Sequence, residues 1–197
     1  MENLKELLNA VLLALFIQPS LYWAPAGLPF LRLGETFFYC NFPIKRFSGM
    51  QAGLLKNWQA RLSKSNSIRK ITAQWFIDAL GLIKYCNNIS YLRLPILALD
   101  HESREKILLF SKREGLGMSA MYPIPIHEIE ELREQFKGVN FPIAKEVSRR
   151  ILTIPTHQLL TQSDKKRIVA LMNLHADELA TLRGHELVLS VKKKFSG

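Results

Sequence analysis

The stretch that decides the fold is Gly115–Pro155, GLGMSAMYPIPIHEIEELREQFKGVNFPIAKEVSRRILTIP. Its glycines bound an apolar run, Leu116 to Pro123, that reads as a strand. Pro123 and Pro125 then hold Tyr122-Pro-Ile-Pro-Ile-His127 in a turn, because proline fixes its own φ and keeps its predecessor out of the helical region. An acid-rich helix is expected at about 127–136. Phe141-Pro142 opens another over about 141–151, since proline is well tolerated in a first helical turn. Leu152-Thr-Ile-Pro155 leads the chain out of it.

On the N-terminal side, Tyr91–Leu99 (YLRLPILAL) has strand character, with Pro95 marking an edge position or a bulge. Asp100 caps HESREKILLFSKRE, which ends at Gly115 as helices commonly do. On the C-terminal side, helices are expected at 163–174 and 175–182, and HELVLSV reads as a last strand. Strand, helix, strand and then helices make an α+β architecture with a small sheet over residues 90–197.

Residues 1–89 read as a helical segment. Residues 4–17 form a helix that is apolar on nearly all sides and so calls for cover by other protein. Residues 18–47 set Pro19, Pro25, Pro29 and Pro43 among aromatic residues, an extended connector too apolar for a flexible linker. Ser48 with Gln51 three residues on is a capping box. Behind it helical periodicity runs to about Leu82, as one long helix or two in near-continuation.

At 197 residues the chain can bury one core, or one core plus a helical layer. Its 48% hydrophobic and 22% charged residues place it among globular proteins. A net charge of +10 would suit an anionic partner, but the charge is dispersed, with one lysine run at Lys192–Lys194 and no nucleic-acid motif. A solvated basic face is the simpler reading, and nucleic acid is not expected as a partner. Cys40 and Cys86 sit in apolar surroundings and are expected as free thiols of a reducing cytoplasm. The apolar run Leu7–Ile17 is about half of a membrane span, and MENLKE before it is no basic leader.

Three blocks in order carry a resemblance. The first is Asn41-Phe-Pro, then Ser48-Gly-Met-Gln-Ala-Gly-Leu-Leu55, leading into a helix with Gln59-Ala-Arg-Leu62, with Asn66 and Arg69 just beyond. The second is Leu92–Leu99 with the helix to Gly115. The third is the opening stretch, through Tyr122-Pro123, His127, Phe141-Pro-Ile-Ala144, Leu152, Pro155 and His157. Together, over about residues 36–175, they resemble the C-terminal part of the DegT/DnrJ family of pyridoxal phosphate (PLP)-dependent sugar aminotransferases. The resemblance implies the small mixed α/β C-terminal domain of a type-I, aspartate aminotransferase-like enzyme, preceded by the helical segment.

It also implies dimers with active sites at the subunit boundary. Asn41 or Arg46 would then reach a PLP phosphate held on another polypeptide, and Tyr122 and His127 would line the sugar side. Each has a plainer reading. Asn41 suits a turn before Phe42-Pro43, which is the stronger reading for it. Tyr122 and His127 suit a strand end and a helix start.

The departures bear on chemistry. Transamination needs a lysine for the internal aldimine and a carboxylate opposite the pyridine nitrogen. The family's Ser-x-x-Lys segment with its glycine pair has no counterpart here, and Met121 stands where the family often has His. The chain alone is therefore not expected to bind PLP or to transaminate. It would work with a complementary PLP-binding chain, as homodimer or hetero-complex, on a nucleotide-sugar. The alternative is a non-catalytic binding or oligomerisation module. His157 reads as structural. Glu128, Glu130, Glu131 and Glu134 read as a solvated helix face, and His101, His175 and His185 lack metal-ligand spacing.

Overall fold

The computed structural model describes residues 2–16, 21, 25, 28, 30, 38, 39, 41–44, 46–82, 89–120 and 124–179. Cys40, Cys86 and the last strand expected at HELVLSV lie outside the described residues. The chain divides into two compact units, Met1–Lys64 and Ser65–Gly197. The division falls inside the long helix, upstream of the boundary expected after residue 89.

In the first unit, α1 spans Glu2–Phe16, a run of leucine and alanine with strong helix propensity. The capping box forms as the sequence suggests. The Ser48 hydroxyl accepts from the Gln51 backbone amide at 3.1 Å, and the Gln51 side chain accepts from the Ser48 amide at 3.0 Å. It opens the short α2, Gly49–Leu54. Ser48 Oγ also donates to Glu6 Oε2 at 2.5 Å, tying α2 to α1. The second of the two arrangements expected for the long helix is found: Asn57, at φ 58°, separates α2 from α3, Trp58–Ala79.

The second unit is built on two antiparallel strands, β1 (Arg93–Leu97) and β2 (Ile151–Pro155), with Pro95 opposite Thr153. Leu152-Thr-Ile-Pro thus belongs to a strand and not merely to a helix exit. Between them lie α4 (His101–Arg113), two 3-10 helices (Ile126–Glu128 and Glu130–Phe136) and α5 (Pro142–Arg150). α6 (Gln162–Leu174) follows, under a second capping box, Thr161 with Asp164. A 3-10 turn, Ala176–Glu178, brings Leu179 into a bridge with Ala98.

The core is one cluster. Phe76 of α3, Ile96 of β1, Ile107 of α4, Leu152 and Ile154 of β2, and Ile168 and Met172 of α6 are all fully buried. The buried guanidiniums are satisfied by backbone: Arg104 Nη1 donates to Ser148 O at 2.7 Å, and Arg150 Nε to Ala98 O at 2.9 Å. A buried charge left without such partners would be costly.

The strand expected over residues 116–123 is a correction. Among the described residues it amounts to one bridge, Ser119 with Thr153. The backbone amides of Leu116 and Met118 are spent on Ser111, on its carbonyl and its hydroxyl, which closes the end of α4. Gly117, at φ 70°, turns the chain between them. The helix expected at 127–136 is likewise 3-10, with i to i+3 bonds from Ile129 to Ile126 and from Leu132 to Ile129.

Candidate functional site

The Tyr-Pro-Ile-Pro-Ile-His turn is described from Ile124 onward; Tyr122 lies outside the described residues. Pro125 is buried in extended backbone (φ −73°, ψ 155°), and its carbonyl accepts from Glu128 at 2.9 Å. That fixes the first turn of the 3-10 helix and sets His127, half-buried, against α5. The His127 ring lies 5.1 Å from the Phe141 ring, tilted by 54°, and Phe141 meets Phe136 edge-on at 6.0 Å. Aromatic pairs favour such separations and tilts.

His127 faces two kinds of surface. On one side is an apolar groove of about 460 Å³, bounded by Pro125, Phe136, Phe141, Val147 and Ile151. On the other is an open cleft of about 730 Å³ edged by Glu128, Arg133 and Lys137. Glu128 is paired with Lys145 at 2.8 Å. The hydrogen bond from Lys145 is the main reason its carboxyl is held below the ordinary glutamate range; the charges of Lys145, His127 and Arg133 add to this. Glu128 is therefore a committed anion, unsuited to act as a general acid near neutrality. The acidic residues read from the sequence as a solvated face do take that role, with Glu130, Glu131 and Glu134 exposed.

An imidazole between an apolar wall and a charged cleft can orient a ligand that is part hydrocarbon and part polar. Asn41 and Arg46 lie in the first unit, both exposed. His127 belongs to the second unit. Among the described residues, no cluster of His, Cys, Asp and Glu could hold a metal.

A Schiff-base lysine has to be partly desolvated to act as an amine; among the described lysines, Lys70 and Lys165 are half-buried and the rest exposed. Lys137, at the edge of the cleft, is 80% exposed and lies 3.7 Å from Glu134. No helix among the described residues is long and apolar enough to cross a membrane.

The second unit thus sets a small two-stranded sheet in one core with α3, α4 and α6. The sequence pattern of the DegT/DnrJ/EryC1/StrS aminotransferase family matches residues 46–173. The chain belongs to that family. Solved structures with the same fold include S. venezuelae DesV in complex with a ketimine intermediate. It is 20% identical with a TM-score of 0.56, over 65% of this chain and 36% of that one. A DegT DnrJ EryC1 StrS aminotransferase from Brucella abortus is 22% identical with a TM-score of 0.55, over 71% and 39%. NtdA from Bacillus subtilis with bound cofactor PMP is 18% identical with a TM-score of 0.56, over 65% and 32%. The match thus spans about a third of the length of these enzymes. No curated protein matches the sequence.

Proposed function

We propose that this chain supplies the C-terminal part of a sugar aminotransferase and works in the cytoplasm with a complementary PLP-binding chain, as a homodimer or hetero-complex. The substrate class is a nucleotide-sugar, and the pathway class is polysaccharide or nucleotide-sugar biosynthesis. One observation carries the reading. The family match covers the elements from α2 to α6, and the matched span is about a third of the length of the related enzymes. Tyr122 and His127 are assigned to the sugar side, and Asn41 or Arg46 to the phosphate of PLP held by the other chain. PLP, when bound there, supplies the electron sink for amino transfer.

The test is a PLP titration of the purified chain, read by absorbance and by borohydride trapping with mass spectrometry. The expected result is no lysine adduct. A stoichiometric adduct on one lysine would overturn the partner-dependent reading and make the chain a cofactor-binding protein in its own right.

A second reading, a non-catalytic binding or oligomerisation module, draws on the apolar surface of the first unit, where Leu12, Leu13, Phe16 and Phe30 are exposed. Apolar surface of that extent normally meets a partner. Both readings predict association, and sedimentation as a monomer at high concentration would count against both. Amino transfer gained on adding a PLP-binding chain separates them.

A further inference from the structure

The apolar groove and the charged cleft beside His127 adjoin, because Ile124, His127 and Phe136 line both. Together they form one surface with an apolar half and a polar half. The chain builds the apolar half from a short stretch. Pro125 and Pro142 fix the backbone on either side of it. Phe141 meets both the His127 and the Phe136 rings, with centroids 5.1 and 6.0 Å away. A wall set in this way loses little freedom when something docks on it.

Apolar surface runs on past the groove. Ile126, which lines the groove, is 66% exposed, and Val139, which lines the cleft, is 51% exposed. Exposed hydrophobics scattered singly are ordinary, but a contiguous patch framing a groove marks an interaction surface. A small molecule filling the groove would leave Val139 in water. A polypeptide segment laid across both halves covers it.

The polar half defines what that segment carries. Of the charged side chains edging the cleft, the two acids already have cations: Glu128 pairs with Lys145 at 2.8 Å, and Glu134 lies 3.7 Å from Lys137. Arg133 differs. Among the described residues no carboxylate lies within 4.0 Å of it, whereas Arg104, Arg150 and Arg167 of the same unit each have one. Its guanidinium is exposed on the cleft and is the charge left uncompensated there. A guanidinium fork matches a carboxylate through two parallel N–H bonds. Aromatic and arginine side chains are also those that protein interfaces favour.

We propose that the groove and cleft are the docking seat for a polypeptide segment that carries a large apolar side chain next to a carboxylate. The apolar side chain enters the groove against Phe141 and His127, and the carboxylate takes Arg133. A partner that is acidic where it docks also suits the net charge of +10. The seat lies wholly within the second unit and is independent of which chain holds PLP.

The experiment is an NMR titration of the full chain with N-acetyl-Phe-Asp-amide, following the His127 ring and the Val147 and Ile151 methyl groups. Saturable shifts are expected. The same peptide with Asn in place of Asp should bind about fivefold more weakly, the upper range for an exposed ion pair. Raised salt should narrow that gap. Arg133→Gln should abolish the preference for Asp over Asn. Ala144→Phe, at an exposed position on the groove wall, should block both peptides while leaving the circular dichroism spectrum unchanged.

Absence of saturable shifts would overturn the proposal, as would equal affinity for the two peptides or full binding by Ala144→Phe. Self-association that Ala144→Phe removes, with no peptide bound by the wild type, would give the groove to a second copy and overturn it too. The probe contains no sugar, so its failure leaves the sugar-side assignment of His127 standing.

Discussion

The two units of this chain use the same local devices to different ends. Each contains a capping box, Ser48 with Gln51 in the first and Thr161 with Asp164 in the second. Each contains a leucine-rich or isoleucine-rich helix. Yet none of the described residues of Met1–Lys64 is buried, whereas the second unit buries Phe76, Ile96, Ile107, Leu152, Ile154, Ile168 and Met172 completely. Helix signals are local and can be satisfied by a handful of residues. A core needs elements distant in sequence to converge, and only the second unit carries enough of them.

The largest expected effect tests that core directly. Ile154, fully buried in β2, is expected to cost about 2–5 kcal/mol on truncation to alanine, through lost transfer energy and the cavity left behind. Urea unfolding followed by circular dichroism would show it as a lowered midpoint. A loss below about 1 kcal/mol would mean the sheet is not the centre of the unit, and the contrast between the two regions would weaken.

Helix caps come next and bear on the comparison from the local side. Asp100 accepts from the Ser103 amide at 2.8 Å at the start of α4, and these bonds hold its carboxyl below the ordinary aspartate range. Asp100→Ala should cost about 0.5–2 kcal/mol. The sign with pH follows from the depressed value. The contribution is complete above the ordinary aspartate pKa and is lost as pH falls through the lower folded value. Wild type and variant should therefore converge on acidification. Ser48→Ala removes the same kind of cap in the first unit, but should leave the main unfolding transition in place, because α2 buries no residue. Equal effects of the two substitutions would join the units into one cooperative structure.

Much of this was readable in the sequence, and the division is physical. Ser48, Asp100, Gly115 and Phe141-Pro142 announce helix ends within a few residues of where they act, and the structure honours each. β2 was not announced. Ile151–Pro155 is short, follows directly on a helix, and becomes a strand by pairing with β1 far away in sequence. The failure of residues 116–120 to form a second ladder was equally hidden, since it depends on Ser111 claiming two amides at the end of α4. In the candidate site, His127 could be found because its turn is a contiguous motif.

A smaller effect is expected at the pair of Lys145 and Glu128, 2.8 Å apart beside the groove. Both side chains are partly exposed, so Lys145→Met should cost only about 0.2–1 kcal/mol. The pair's contribution should fade in high salt and as pH falls through the depressed Glu128 value, as for Asp100. Urea midpoints at low and high salt would test this. A cost that salt leaves untouched would mean that the lysine stem packs against the groove.

The smallest effect returns to α1. Leu8 is 56% exposed and Leu13 72% exposed on that helix, so Leu8→Ser removes little area that folding withdraws from water. The expected loss of unfolding free energy is within about 0.5 kcal/mol, and the lower helix propensity of serine contributes to it. Unfolding of the dilute chain is the deciding measurement, because association would add stability by mass action. If Leu8→Ser instead cost as much as Ile154→Ala at low concentration, the first unit would have a core of its own. The difference between the two regions would then be one of packing partner and not of packing itself.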